Sequence, residues 1–444
     1  MKLTVQANGV CIGWLSLDAI SGLYAFDYSV EWLAQEQRFP LSPVLPLVGQ
    51  SFSAEQHSAN VRQFFQNLLP EGQALEDAAQ ANKVSKSNLI GLLVALGRET
   101  AGALEISLDD SQPLSTPLAA KRLLASDELS QRIRSRPELA FSVWDGKVRL
   151  SIAGYQDKIA ILEKNGLWFL VDGGCLASTH LLKPDPIRSG LQGMTSNEFA
   201  CMRLAQVVGI VAADVCLERI PEPILLIRRF DRRISTESID RLHCIDGCQA
   251  LGLGVSMKYE RPYGDGRDVK HIRDGASLPK LFALLDRTSA QPTADRLALL
   301  RWTIFQILIG NTDAHGKNLS FFIDSGGIRL APSYDLVCCL IYANGQISDT
   351  LSMAIGDNFD ARSLTAYDWA MMAIECGLNT RLVGRELKQM ADKVLKIWPE
   401  LKQNLIAVGA DDLTLKAIEA VLNQQCQHTL SIANEVPKIS KAIL

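Results

Sequence analysis

The chain has 444 residues, and 45 Lys+Arg against 49 Asp+Glu give a net charge of −4. Hydrophobic residues at 47 % and charged residues at 21 % are the balance of a globular protein and exclude a disordered or fibrous chain. The length suits two or three compact units, each able to bury its own core, and the mild acidity excludes a protein that coats nucleic acid by net charge.

The N-terminal MKLTVQANGVCIGWL has polar residues where a signal peptide needs an apolar run. The longest strongly apolar stretch, 297–309, is interrupted by Arg301 and too short to span a bilayer, so a cytoplasmic protein is expected. In 1–108, short alternating runs flank Asn8-Gly9, a hairpin signal, and helical patterns follow at 61–69, ended by Pro70, and at 89–96, ended by Gly97. A polar stretch carrying Pro113 and Pro117 reads as a linker. From 145 to 230 the pattern is β-rich, with strands predicted at 147–152, 158–162, 167–171, 181–183 and 224–227. Ser196 and Glu198 are expected to open a helix closed by Gly209. Beyond residue 235 helices dominate, and the clearest starts after Pro292, is apolar on nearly every side and ends at Gly310. Ten cysteines are scattered through the chain. Free thiols are the default, because His243-Cys244-x-x-x-Cys248 lacks the second ligand pair that zinc needs.

After the buried helix comes Asn311-Thr312-Asp313-Ala314-His315-Gly316-Lys317-Asn318, then a predicted hairpin turned at Asp324-Ser325-Gly326-Gly327, then Ser333-Tyr334-Asp335. This order suits phosphoryl transfer. A carboxylate (Asp313) deprotonates an attacking hydroxyl, while an amide five residues on (Asn318) and a carboxylate beyond a hairpin (Asp335) hold phosphate-bridging magnesium. A polar loop with a stabilising histidine is the plainer reading of an isolated Asp-x-His-x-x-Asn. The buried helix before the loop, and the hairpin and Asp335 after it, favour the kinase order. Upstream, Lys183 ends a short strand and Glu198 lies on the next helix, as in the lysine–glutamate pairing of kinases. No G-x-x-x-x-G-K-[ST] occurs, which disfavours a P-loop ATPase.

The chain resembles the HipA family, the kinase toxins of bacterial two-gene toxin–antitoxin modules. In the N-terminal part the resemblance rests on Leu41-Ser42-Pro43-Val44-Leu45-Pro46-Leu47, Phe64-Phe65-Gln66-Asn67-Leu68-Leu69-Pro70 and Leu96-Gly97-Arg98. Further on it rests on Ser151-Ile152-Ala153-Gly154, Ser178-Thr179-His180-Leu181-Leu182-Lys183-Pro184, Arg229-Phe230-Asp231-Arg232, Gln249-Ala250-Leu251-Gly252, Lys258-Tyr259 and the catalytic loop. It implies an α/β (α+β) chain with a two-lobe protein-kinase-like fold. The implied parts are an N-terminal accessory subdomain (1–108), a linker (109–124), a β-rich nucleotide-binding lobe (125–235) and an all-helical C-terminal lobe carrying catalysis (236–444). ATP and magnesium (Mg2+) are the implied cofactors.

The resemblance makes Asp313 the catalytic base, Asn318 and Asp335 the magnesium ligands, and Lys183 a phosphate contact. His315, Gly316, Lys317 and Asn318 line the nucleotide site, and Tyr334, Leu336 and Val337 flank Asp335 in it. Ala153, Gly154, Tyr155, Gln156, Asp157 and Lys158 cover the phosphates, and Arg228, Arg229 and Phe230 form the hinge beside adenine. Ser151 matches a regulatory serine whose phosphorylation ejects the covering loop, as a dianion beside a triphosphate would. Arg228 departs from the glutamate usual at its place. The implied partners are a small, dimeric helix-turn-helix (HipB-like) antitoxin and a translation-component substrate such as an aminoacyl-tRNA synthetase. DNA is reached chiefly through the antitoxin, with the basic residues Arg385, Lys388, Lys393 and Lys396 read as a solvated helix face. The catalytic residues alone would equally serve a kinase of a small molecule, and a corepressor with incidental chemistry is the remaining reading.

Overall fold

The computed structural model describes residues 1–48, 52–108, 121–136, 138–145, 147–148, 156–172, 176–235, 238–342 and 345–439. The chain packs as two compact units, one of residues 1–184, 218–255 and 321–328, the other of 185–217, 256–320 and 329–444.

The first unit opens on a four-stranded sheet ordered Tyr24–Tyr28, Val10–Leu17, Lys2–Ala7, Leu104–Leu108. Its strands alternate buried and solvent-facing residues, and Asn8-Gly9 turns the first hairpin with both residues at positive φ. Helix Ala54–Gln66 begins seven residues before its apolar repeat, because Ser53 caps it by accepting the Gln56 N–H and its first turn is polar and solvated. Helix Leu89–Leu96 has the expected bounds and is capped by Asn88. A six-stranded sheet follows, ordered Val215–Arg219, Pro223–Arg228, His180–Pro184, Ile159–Lys164, Leu167–Val171, Lys121–Leu123. Its last strand takes up the end of the expected linker. One face buries Ile159, Ile161, Leu170, Leu182 and Ile224 against Trp144, Phe141 and helix Ser126–Arg134.

An ion network lies buried in this unit. Glu99 Oε1 accepts Arg229 at 2.9 Å, Arg232 at 3.0 Å and Ser178 Oγ at 2.7 Å, while Oε2 accepts Arg241 at 3.2 Å. Asp231 Oδ2 holds Arg229 at 2.7 Å, Arg232 at 3.0 Å and the Gly102 N–H at 2.7 Å. Burial alone would raise both carboxyls, but the guanidinium groups beside them hold both below the usual carboxylate range. Burial and the neighbouring Arg229 bring Arg232 down to about 10, so it stays charged near neutrality. Close by, His243 stacks on Phe39 at 4.7 Å and donates from Nε2 to Leu41 O at 2.9 Å. Burial pushes its imidazole down to about 4.

In the second unit, helix Met194–Val208 starts two residues earlier than predicted, and Ser196 and Glu198 lie buried inside it instead of capping it. Ser196 Oγ accepts the Asp411 N–H at 3.0 Å, and Gly209 closes the helix at φ +93°. Helix Pro292–Leu308 has Pro at its first position and is buried along most of its length. Helices Leu278–Thr288, Ala366–Glu375, Thr380–Ala407 and Asp412–Ala433 complete the helical part. The region expected as all-helical also contains a hairpin, Thr350–Ile355 with Asn358–Asp360, turned at Gly356. Nearly every residue of its first strand is buried, so the strand carries no alternation to mark it in the sequence. No helix among the described residues is long and apolar enough to cross a membrane.

Two outcomes follow from these buried charges. Asp231→Asn leaves Arg229 and Arg232 with Glu99 as their one shared carboxylate and lowers the unfolding free energy by about 3–5 kcal/mol, read as a lower urea midpoint. His243 takes up a proton less readily folded than unfolded. Its contribution is therefore complete above its ordinary value of 6.5 and is lost as pH falls toward about 4, by about 3 kcal/mol. His243→Phe makes the stability-versus-pH curve shallower across that window.

Candidate active site

Helix Pro292–Leu308 delivers the chain to Gly310, where φ is +65° and a Cβ would lie 2.8 Å from Leu340 and 2.9 Å from Val421. Glycine turns the chain here into the loop that carries Asp313 without the strain and crowding a side chain would bring. The Asn311 side chain, 1 % exposed, organises that loop. Its Oδ1 accepts the Asp313 N–H at 3.2 Å and the Cys339 thiol at 3.1 Å, and its Nδ2 donates to Gln306 Oε1 at 2.9 Å. Thr312 O accepts both the N–H (2.9 Å) and the hydroxyl (2.8 Å) of Ser352. Gly316 N–H donates to Lys258 O at 2.9 Å, and Asn318 Nδ2 donates to Asp313 O at 3.0 Å. The Asp313 side chain is exposed, and its Oδ1 accepts the Tyr259 hydroxyl at 3.0 Å.

Asp335 lies beyond the hairpin of Ser320–Asp324 and Gly327–Leu330, as the sequence order requires. Its φ of +57° is a left-handed conformation that costs a residue with a Cβ about 1–3 kcal/mol. The flanking segment is held to match. Tyr334 donates to Lys317 O at 2.6 Å and lies 2.8 Å from Ser320 Oγ. Asn197 grips Cys338 twice, accepting its N–H at 2.8 Å and donating to its carbonyl at 3.1 Å. Leu336 is fully buried, and Val337 packs on Leu191, Met194 and Tyr342, so these two anchor Asp335 through the core.

His315 is buried, and burial, then Lys258, push its imidazole down to about 3, leaving it uncharged near neutrality. Its buried Nδ1 has no hydrogen-bond partner among the described residues, an orphan suited to a ligand group. The donors fit magnesium shared with phosphate. They are the Asp335 carboxylate and, with Nδ2 of Asn318 committed to Asp313 O, the Asn318 amide oxygen. Among the described residues no three His, Cys, Asp or Glu side chains gather as an all-protein cage.

In the first unit, Lys183 pairs opposite Leu225 in strand His180–Pro184 and is 4 % exposed, its neighbour Leu182 facing the core. Gln156 donates to Pro184 O at 3.3 Å, Asp157 pairs with Arg136 at 2.8 Å, and Lys158 is buried. Ser151, Ala153, Gly154 and Tyr155 lie outside the described residues. Arg228 is exposed at the end of strand Pro223–Arg228, and Phe230 packs edge-on against Phe322. The Arg229 guanidinium is committed to Glu99 and Asp231, and its N–H donates to Thr179 O at 2.9 Å. Arg385, Lys388, Lys393 and Lys396 are exposed on helix Thr380–Ala407, and Lys393 donates to Val208 O at 2.8 Å.

Two family models match, the HipA N-terminal domain over residues 3–107 and the HipA-like C-terminal domain over 150–398. The serine/threonine-protein kinase toxin HipA of Shewanella oneidensis is 36 % identical over 440 residues, 98 % of this chain and 98 % of that protein. The chain belongs to the HipA family. It is a serine/threonine-protein kinase homologue with that family's mixed α/β, protein-kinase-like fold and helical C-terminal region. HipA in a solved complex with HipB and operator DNA from S. oneidensis superimposes with a TM-score of 0.85 at 34 % identity, covering 99 % of this chain and all of that one. A putative kinase of Sinorhizobium fredii, Y4mE, is 35 % identical over 398 residues, 88 % of this chain and 89 % of its own.

In this HipA-family chain the structure gives Asn197, Asn311 and Tyr259 roles that the sequence did not assign them. Asn311 is adjacent to the loop motif, and its type, an amide at a buried helix end, is the only signal it carries. Nothing local points Tyr259 at Asp313, from which 54 residues separate it. Asn197→Ala strands the Cys338 N–H and carbonyl in the interior. It is expected to lower stability by about 1–3 kcal/mol, read by thermal unfolding.

Proposed function

We propose that the chain is the toxin of a toxin–antitoxin module, an ATP- and Mg2+-dependent serine/threonine protein kinase acting in the cytoplasm. The observation that carries this reading is the strapped loop presenting Asp313, with Asn318 folded back onto it and Asp335 held in a left-handed turn. Asp313 accepts the proton of the attacking serine or threonine hydroxyl. That oxygen bonds to the γ-phosphorus as the bond to the β–γ bridging oxygen breaks, and ADP leaves. Asn318 and Asp335 hold magnesium, which when bound neutralises charge developing on the phosphates. Lys183 contacts the phosphates, the residues 153–158 cover them, and Arg228, Arg229 and Phe230 lie beside adenine. The commitment of Arg229 to Glu99 and Asp231 supports adenine contact through backbone in that segment rather than through its guanidinium.

The proposed organisation is an accessory subdomain (1–108), a linker (109–124), a nucleotide-binding part (125–235) and a catalytic part (236–444). The proposed substrate is a translation component such as an aminoacyl-tRNA synthetase, and phosphorylation at Ser151 silences the enzyme. A small dimeric HipB-like antitoxin restrains it and carries the DNA contact. The S. oneidensis complex, which contains HipA, HipB and operator DNA, supports these partners.

With γ-labelled ATP and magnesium, the purified chain is expected to transfer label to serine or threonine. Asp313→Asn reduces transfer by about 10²–10⁴-fold, and EDTA abolishes it. Expression of the chain arrests growth, and D313N does not. Full growth arrest by a D313N chain that transfers no phosphate would overturn the enzymatic account of toxicity. Phosphosite mapping of the whole proteome then reads the target and Ser151 together.

A further inference from the structure

We propose that Tyr259 is a positioning residue for the base, holding the Asp313 carboxylate in the orientation in which it accepts the substrate proton. The inference rests on Asp313 being the base. A carboxylate on an exposed loop can turn about two side-chain torsions, and a general base acts only when an oxygen is aimed at the proton it takes. The Tyr259 hydroxyl donates to Asp313 Oδ1 at 3.0 Å. A donor fixed on one oxygen sets the plane of the carboxylate, and with it the direction from which the other accepts.

That function requires the tyrosine to be held, and its half-exposed side chain is held through its ring edge and its backbone. The ring stands edge-on to the buried His315, centroids 5.1 Å apart and planes at 84°. On either side the backbone is tied down. Ala276 N–H donates to Met257 O at 2.9 Å, Gly316 N–H to Lys258 O at 2.9 Å, and Gly275 N–H to Glu260 O at 3.2 Å. The next side chain, Glu260, is 2 % exposed, takes the Arg273 guanidinium and accepts the Ala354 N–H at 2.8 Å. The strap needs glycine at 275, where a Cβ would come within 1.8 Å of Tyr259 O. A hydroxyl carried on a backbone tied at three points differs from one on a free loop, which drops into the acceptor's place and leaves when substrate arrives. The same Gly316 N–H that binds Lys258 O belongs to the catalytic loop, so tyrosine and base are referenced to one backbone.

The test uses the full-length chain as wild type, Tyr259→Phe and Asp313→Asn. ADP release is followed over a range of MgATP concentrations, with the D313N chain as phosphoryl acceptor, and Tyr259 is checked for phosphate by mass spectrometry. Phenylalanine keeps the ring contact with His315 and removes only the donor. The expected result is a fall in kcat of roughly tenfold with the KM for ATP within about twofold of wild type and the melting temperature unchanged. An unchanged or raised kcat, a change confined to KM, or phosphate on Tyr259 would overturn the inference while leaving the kinase reading intact. A wild type that is as inactive as D313N after phosphatase treatment has removed any phosphate from Ser151 would overturn the kinase reading and the inference with it.

Discussion

A single buried amide, Asn311, is the joint on which the proposed catalytic geometry turns. Its oxygen accepts from the Asp313 backbone and from the Cys339 thiol, and its nitrogen reaches back to Gln306 inside helix Pro292–Leu308. One side chain therefore refers the base loop, the segment past Asp335 and the core helix to each other. Burying an amide is costly unless its hydrogen bonds are made, and here they are made to three separate pieces of chain. The satisfied amide leaves the loop little freedom to drift from the helix end. Asn197 does the same for the chain beyond Asp335, gripping Cys338 by both backbone groups. Two amides and a glycine in a left-handed, crowded turn, Gly310, thus convert packing of an apolar helix into placement of an exposed carboxylate.

What could be seen in the sequence was what chemistry writes locally. Asp313, Asn318 and Asp335 stand out because their spacing, and the hairpin between the last two, are properties of contiguous chain. Strand Leu167–Val171 and helix Leu89–Leu96 have the bounds their patterns suggest. The misplacements have equally local causes. Helix Ala54–Gln66 hides its solvated first turn from an apolar repeat, and Ser196 and Glu198 look like caps when they are interior residues of an already started helix. The strand Thr350–Ile355 is buried on both faces, so the period of two that identifies a strand is missing. Tyr259 with Asp313, and Glu99 with Arg229, are pairs assembled by the fold from distant chain, and no spacing rule reaches them.

The two units place charge differently. In the first, arginines and carboxylates are sealed together and neutralise one another, which fixes Arg229 as structure within a segment expected to face a nucleotide. In the second, the carboxylates proposed to act are left reachable, Asp313 exposed and Asp335 partly so, while His315 is kept neutral by burial. Rigid, compensated charge serves as framework, and accessible charge as chemistry.

The sealed network also bears on how the gene for such a protein can change. Residue 107, where the match to one family model ends, and residue 150, where the next begins, suggest a seam at which the chain could be divided. Yet Glu99 belongs to the near side of that seam, and Arg229, Arg232 and Arg241 to the far side. A split there would strand the Glu99 carboxylate in one fragment and leave Arg229, Arg232 and Arg241 in the other without it, with Asp231 still pairing Arg229 and Arg232. The boundary visible in sequence comparison is therefore not a boundary of foldability. Shuffling the N-terminal segment onto another kinase would require the arginines to travel with it.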